Sequence, residues 1–100
     1  MFETLIQKLQ EDKFLTLETT PQHEPSMHNI IERIKKFKLQ DRVDGFSCTD
    51  NPLAKLKYNA LFASLKLQME FKKPVIATMS MRDRNKIALQ SDLMAANDFD

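Results

Sequence analysis

Three short segments rich in strand-forming residues end about 30 residues apart, and each is followed by a segment with helical periodicity. The strand candidates run over residues 13–19, 43–49 and 74–81. A short amphipathic helix over residues 2–11 precedes them, because apolar side chains recur there at helical spacing. Strands and helices that alternate at this period are typical of right-handed βαβ units, so the sequence predicts a parallel sheet.

The three helices after the strands are predicted from capping residues, prolines and apolar side chains at helical spacing. One is predicted to begin at Ser26, a residue that can cap a helix, directly after Pro25. The next is predicted over residues 53–71, because Pro52 suits a first helical position and leucines follow at helical spacing. The last is predicted over residues 86–97. The apolar third strand is expected to be buried on both faces of the sheet.

The length limits how much of a parallel α/β fold the chain can form. One hundred residues are enough for one small domain, whereas an intact TIM (βα)8 barrel needs about 250. We therefore predict an α/β fold that corresponds to the N-terminal portion of a TIM barrel with parallel strands. The single partial domain, residues 1–100, comprises the leading helix at about 2–11 and βα units at about 13–38, 43–71 and 74–97.

Composition argues against several functions. Fifteen basic and 14 acidic residues give a formal net charge of +1, which provides no general electrostatic reason to bind nucleic acid. The basic stretch over residues 33–38 is expected to be a solvated helix face. No apolar run is long enough to span a membrane, and the N-terminus lacks the features of a secretory signal. The expected location is therefore the cytoplasm.

Few residues offer redox, phosphate or metal chemistry. Cys48 is the only cysteine, and its place among strand formers predicts a small buried side chain rather than a catalytic thiol. Gly45 is the only glycine, which argues against glycine-rich loops that bind phosphate. His23 and His28 lie close to Glu24, but no third ligand has a matching spacing. We predict no metal site.

Polar residues follow each strand candidate, where the chemistry of parallel α/β proteins is found. Glu18 is the last residue of an apolar strand, a position that suits a general acid. The alternatives are that its side chain faces solvent or that it forms an ion pair with an arginine. Residues 49–52 can present a hydroxyl, a carboxylate and a helix N-terminus to a ligand, or they simply begin a helix. Residues 82–85 can bind an anion, or they form an ion-paired loop that caps the last helix.

These residues belong to three motifs that, in order and spacing, resemble the methylenetetrahydrofolate reductase family. Leu15–Pro21 is similar to the first strand of that family, an apolar strand that ends in glutamate and is soon followed by proline. Val43–Leu53 resembles the second strand and turn of a bacterial branch. Arg82–Asn85 with Ala88–Leu93 resembles the turn and helix after the third strand of the same branch. The resemblance extends over residues 14–97.

The resemblance implies a (βα)8 barrel that holds FAD at the carboxyl ends of its strands and reduces 5,10-methylenetetrahydrofolate to 5-methyltetrahydrofolate. NADH or NADPH is the implied electron donor. Glu18 matches the catalytic acid, which helps to open the imidazolidine ring of the folate by protonation. Thr49 matches a residue that contacts the flavin, and Asp50 and Thr78 match neighbouring cofactor-binding positions at which the better-known branch has tyrosine and histidine.

Arg82 and Asn85 are the residues expected to contact the substrate or an anion. The family's later flavin and folate contacts correspond to positions after residue 100, so the chain is expected to be an N-terminal fragment of such a flavoenzyme, inactive alone. The expected partners are the folate substrate and a homo-oligomer or a complementing C-terminal barrel chain. The alternative is a non-catalytic partial barrel that pairs with another chain or with itself. Another enzyme class on a TIM-like scaffold ranks third.

Overall fold

The computed structural model describes residues 1–11 and 13–99, in which helices and strands alternate along the chain. Two 3₁₀ turns, Leu39–Arg42 and Pro52–Ala54, precede and follow the second strand. The longer elements are α1 (Phe2–Glu11), β1 (Thr16–Thr19), α2 (His28–Lys36), β2 (Gly45–Cys48), α3 (Ala60–Phe71), β3 (Val75–Ala77) and α4 (Lys86–Asp98).

The three strands form one parallel sheet in the order β1-β2-β3. In the register of the sheet, Leu17 lies beside Phe46, and Phe46 lies beside Val75. The expectation of an α/β fold with a parallel sheet is therefore confirmed. Strand β2 is central, so it alone among the described strands has a hydrogen-bonded neighbour on both sides.

One face of the sheet is covered by helices. Phe46 of β2 packs on Phe71 of α3 with ring centroids 5.2 Å apart, and Met27 and Ile34 close the core from the side of α2. Since apolar side chains of one strand face and two helices meet there, burial of this layer drives the association of the elements. The fully or nearly buried apolar residues are Met27, Ile34, Phe46, Cys48, Ala60, Ala63 and Leu67.

The opposite face of the sheet carries a different set of side chains, and we call it the open face. Side chains alternate along a strand, so the neighbours of the core residues point to this side. Glu18 is exposed, Ser47 is half-buried and Ile76 is 45% exposed. The strand residues of the open face are Thr16, Glu18, Gly45, Ser47 and Ile76.

The helix predicted over residues 53–71 begins later than expected. Asn51 and Leu53 have positive φ angles, which an α-helix cannot contain, and Leu53 is 86% exposed. The helix begins instead at Ala60, where the side chain of Asn59 accepts a hydrogen bond from the Phe62 N–H at 3.0 Å. The amide cap therefore marks a helix start at residue 60, whereas the leucine spacing had predicted a start at residue 53.

One expectation about burial was wrong. The third strand is only Val75–Ala77, and the exposure of Ile76 shows that it is not covered on both faces. Helix α4 has no buried residue, and its apolar positions Ile87, Leu93 and Met94 are exposed. Helix α2 begins at His28, two residues after Ser26, whose hydroxyl oxygen accepts the His28 N–H at 3.0 Å.

Within residues 1–11 and 13–99, no helix is both long and apolar enough to cross a bilayer.

Gly45 gives the first testable prediction, because two groups approach its backbone closely. A Cβ atom at this position would lie 2.3 Å from the Pro74 carbonyl oxygen and 2.7 Å from Cζ of Phe14. We expect Gly45→Ala to lower the free energy of unfolding by about 1–3 kcal/mol, because β3 or Phe14 must shift. Ser47→Ala, on the same face of β2, is the control and should change it by less than about 0.5 kcal/mol. Urea unfolding measures both, and equal effects would contradict the steric argument.

Candidate functional site

The carboxyl ends of the three strands lie side by side, and their hydrogen-bond ladder continues one residue past the strands. The Thr49 N–H donates to the Thr19 carbonyl at 3.2 Å, and the Thr78 N–H donates to the Cys48 carbonyl at 3.1 Å. We call residues 18–20, 47–50 and 76–78 the carboxyl edge. Because side chains alternate, Thr49 and Thr78 follow Ser47 and Ile76 on the side of the open face. The structure thus brings the predicted clusters at residues 18–20 and 49–51 to one edge. The third cluster, residues 82–85, contacts the second through the Arg84–Asp50 ion pair and the hydrogen bond from Arg82 to the Asn51 carbonyl.

Glu18 lies on the open face beside Ser47, its partner in the register of β1 and β2. Its side chain is exposed, and no ion pair or side-chain hydrogen bond of Glu18 is found within the described part of the chain. The arginines considered as its partners, Arg82 and Arg84, bind other carboxylates. A carboxyl group in this position can therefore reach a molecule that lies on the open face.

Thr49 differs from its neighbours because its hydroxyl oxygen is buried without a partner. No donor or acceptor within residues 1–11 and 13–99 hydrogen-bonds to this atom. A buried polar group without a hydrogen bond costs about 1–3 kcal/mol, so such atoms are rare in folded proteins. A ligand that supplies a hydrogen-bonding group at the carboxyl edge would remove this cost. Among the described residues, Oε1 of Gln40, outside the carboxyl edge, is likewise buried without a partner.

Asp50, the next residue, is used inside the protein. Its side chain is only 2% exposed and forms an ion pair with Arg84, whose side chain is 11% exposed. The same carboxylate accepts the Ser80 N–H at 2.6 Å. Its carboxylate thus connects the loop after β2 to the loop after β3, because a buried charge requires such partners. A role of Asp50 in binding a cofactor stays a prediction.

The protonation of Asp50 follows from these contacts. Burial by itself raises the pKa of this carboxyl group, since it disfavours the charged form. The hydrogen bonds from Arg84 and from the Ser80 N–H, with the positive charges of Arg84 and Arg82, outweigh burial and hold the pKa below its usual value. Asp50 is therefore a carboxylate at neutral pH.

Arg84 is the residue that the sequence analysis missed. Besides Asp50, its guanidinium donates to the Ser80 carbonyl at 3.1 Å and to Oδ2 of Asp92 in α4 at 3.2 Å. It therefore joins the loop after β2, the loop after β3 and helix α4. Its place in a polar cluster was the only signal in the sequence, because its main partner lies 34 residues away.

Arg82 and Asn85, the two predicted substrate or anion contacts, both have partners in the structure. Arg82 donates from Nη2 to Oδ2 of Asp83 at 2.7 Å and to the Asn51 carbonyl at 2.9 Å. The side-chain oxygen of Asn85 accepts the Ala88 N–H at 2.8 Å and caps α4. These contacts match the alternative prediction for residues 82–85, an ion-paired loop that caps the last helix. A role in binding an anion stays a prediction.

The structure also shows the surroundings of the cysteine considered as a catalytic thiol and of the two histidines considered as metal ligands. Cys48 is fully buried on the covered face of the sheet; burial raises the pKa of its thiol, against the opposing effect of a hydrogen bond with Ser64. A thiol in this environment is a poor nucleophile. His23 and His28 lie in or next to the loop after β1, and among the described residues no three His, Cys, Asp or Glu side chains are grouped as metal ligands.

Comparisons of this chain with protein-family models, with curated proteins and with solved structures give no match. The functional assignment therefore depends on the residues of the carboxyl edge and on the motifs that contain them.

Asp50→Asn tests the ion pair with a pH dependence. At neutral pH the substitution leaves the largely buried Arg84 with Asp92 as its remaining charged partner, and we expect it to cost about 3 kcal/mol. The pKa of Asp50 is lowered in the folded state, so its contribution is complete above the unfolded value of about 3.9 and is lost as the pH falls through the folded value. Urea unfolding of wild type and variant should therefore give a constant difference above about pH 5 that shrinks below about pH 4.

Asp83→Asn is the matched control, because it removes the other carboxylate of the same loop. The Asp83–Arg82 pair is exposed, so the control should lower the free energy of unfolding much less than Asp50→Asn does at neutral pH. A difference for Asp50→Asn that stays the same in acid, or that is no larger than for the control, would contradict the role given to Asp50.

Proposed function

We propose that this chain forms the first three βα units of a methylenetetrahydrofolate reductase-like (βα)8 barrel in the cytoplasm. In this proposal the carboxyl edge provides the proton donor and part of the flavin site of an enzyme that reduces 5,10-methylenetetrahydrofolate to 5-methyltetrahydrofolate. The observation that carries the proposal is the buried, unpartnered hydroxyl of Thr49 beside an open face that also presents Glu18.

The arrangement of the sheet supports the barrel. Three parallel strands with helices on one side only are what a segment of a (βα)8 barrel looks like, since the barrel interior is filled by side chains from the other strands. The open face would then be the interior side, and Ile76 would be covered there. The unpaired outer edges of β1 and β3 in the described sheet would pair with further strands.

In this proposal Glu18 is the general acid. Its carboxyl group would donate a proton to a ring nitrogen of the folate, which makes that nitrogen a better leaving group when the imidazolidine ring opens. In the complete barrel the other strands would enclose this carboxyl group together with the substrate. Ser47, next to Glu18 in the register, would line the same part of the site.

The residues proposed to contact FAD differ in whether their side chains are available to it. The hydroxyl of Thr49 lacks a partner and can hydrogen-bond to a polar group of the flavin. Thr78 is exposed at the same edge and is available to the ligand. The carboxylate of Asp50 has partners inside the chain, so we assign it to holding the site rather than to cofactor contact. Bound FAD would supply the electron transfer, with NADH or NADPH as the proposed reductant.

The affinity of this chain for its ligands should be low. A barrel site takes contacts from the ends of several strands, and β1, β2 and β3 supply only some of them. Catalysis depends still more strongly on such contacts, because all of them must be held in one geometry. We therefore expect little turnover by the isolated chain, and binding is the property to measure.

Amide chemical shifts can detect such weak binding. Titration of the chain with FAD, and separately with 5-methyltetrahydrofolate, should shift the signals of residues 18, 49 and 78, because these lie at the carboxyl edge. Shifts confined to other parts of the chain, or no shifts with either compound at millimolar concentration, would refute the proposal.

Thr49→Val sharpens this test, because it removes the hydroxyl and keeps the shape. We expect weaker FAD binding together with a free energy of unfolding about 1 kcal/mol higher, since an unsatisfied buried group disappears. Thr19→Val is the matched control. Thr19 lies on the covered face, and its hydroxyl donates to the Leu17 carbonyl at 3.5 Å, so this variant should bind FAD like the wild type.

A second candidate function has its own structural support: a non-catalytic module that pairs with another chain or with itself. Helix α4 exposes Ile87, Leu93 and Met94, and β3 exposes Ile76 beside an edge that is unpaired in the described sheet. Such a surface can add a strand or a second copy of the chain.

Light scattering coupled to size-exclusion chromatography tests whether the chain pairs with itself. A module that pairs with itself should elute as a dimer, and Ile76→Lys should shift it to monomer, because the charge opposes burial of that edge. Thr16→Lys on the same face of β1 is the control. A monomer at every concentration would exclude self-pairing.

A further inference from the structure

A cleft away from the open face lies between the loop after β1 and the loop after β2. Its volume is about 480 Å³, larger than that of the cavity between α3, β3 and α4. Neither Glu18 nor Thr49 lines it. One wall comes from residues 23–25 and the other from residues 56–58. The lining residues are His23, Glu24, Pro25, Leu56, Lys57 and Tyr58.

Hydrogen bonds fix both walls of this cleft. The Tyr58 N–H donates to the Gln22 carbonyl at 2.8 Å, which joins one wall to the other. The Lys57 N–H donates to the side-chain oxygen of Asn51 at 2.8 Å, so the second wall is also held to the carboxyl edge. A site held in this way loses less conformational entropy when a ligand binds.

The two walls carry opposite charges. Glu24 lies on one and Lys57 on the other, and the described residues contain no ion pair between them. One oxygen of Glu24 accepts a hydrogen bond from Nδ2 of Asn29 at 3.1 Å, which orients the carboxylate. Pro25 and Leu56 add apolar surface beside these charges. A ligand with a positive group, a negative group and a small apolar part would therefore have a counterpart for each among the lining residues.

We propose that this cleft binds a small zwitterion, namely a free α-amino acid with an apolar side chain. Its ammonium group lies toward Glu24, its carboxylate lies toward Lys57, and its side chain packs on Leu56 and Pro25. His23 and Tyr58 supply further polar contacts. The inference is independent of the proposed reductase, since it involves neither Glu18 nor Thr49, and each can fail without the other.

Leucine and its two half-molecules test the proposal on the wild-type chain. Leucine carries both charges, whereas 3-methylbutanoate lacks the ammonium and 3-methylbutylamine lacks the carboxylate. We expect leucine to shift the amide signals of residues 23, 24 and 56–58 and to bind about fivefold more tightly than either half-molecule, the factor that one partly exposed ion pair contributes. Equal affinity of leucine and 3-methylbutanoate, or no shift at the cleft, would overturn the proposal.

Substitutions on the two walls provide the second measurement. Lys57→Gln and Glu24→Gln should each weaken leucine binding about fivefold. Lys55→Gln is the control, because Lys55 is exposed two residues away and does not line the cleft. All three positions lie in surface loops, so the amide spectrum of each variant should otherwise match the wild type. Leucine binding that is unchanged in both wall variants would also overturn the proposal.

Discussion

The pairing of β2 with a parallel strand on each side is the constraint on which the rest of the structure depends. β2 places Phe46 and Cys48 under α3 and, by alternation, turns Ser47 toward the open face. Its register with β1 and β3 brings residues separated by about 30 positions to one edge. A slip of one residue would exchange the two faces, and both the core and the candidate site would be lost.

The carboxyl edge combines a strongly satisfied group with an unsatisfied one. Asp50 has charged and backbone partners, so it holds two loops and helix α4 in place through Arg84. The adjacent hydroxyl of Thr49 has no partner in the described part of the chain. Binding sites commonly have this pattern, in which a rigid support holds a group that only the ligand satisfies. Thr49 and Asp50 are adjacent in one motif, and both were therefore predicted to contact the ligand.

The sequence predicted those features that depend on neighbouring residues. Strand-forming runs followed by polar residues gave the parallel order and the common edge of Glu18 and Thr49. Thr78 was named only through the family resemblance, because the third strand was predicted to run to residue 81, whereas it ends at Ala77. The start of α3 was missed because positive φ angles at Asn51 and Leu53 override the helical spacing of the leucines. The pairing of Asp50 with Arg84 joins residues 34 positions apart, which no local pattern specifies. The helical periodicity over residues 86–97 predicted α4 but not what covers its apolar side, and Ile87, Leu93 and Met94 are exposed in the structure.

The sparse packing of α4 also determines how stability is distributed along the chain. A helix without buried residues gains little from the core, so its amide hydrogens should exchange with solvent through local openings that leave the sheet intact. The contact of Arg84 with Asp92 holds the N-terminal half, and the weaker contact of Gln68 with the Phe99 carbonyl lies at the other end. Unfolding would therefore begin at the C-terminus of α4 and stop at Asp92. The amide hydrogens of α4 beyond Asp92 should therefore exchange faster than those of β2.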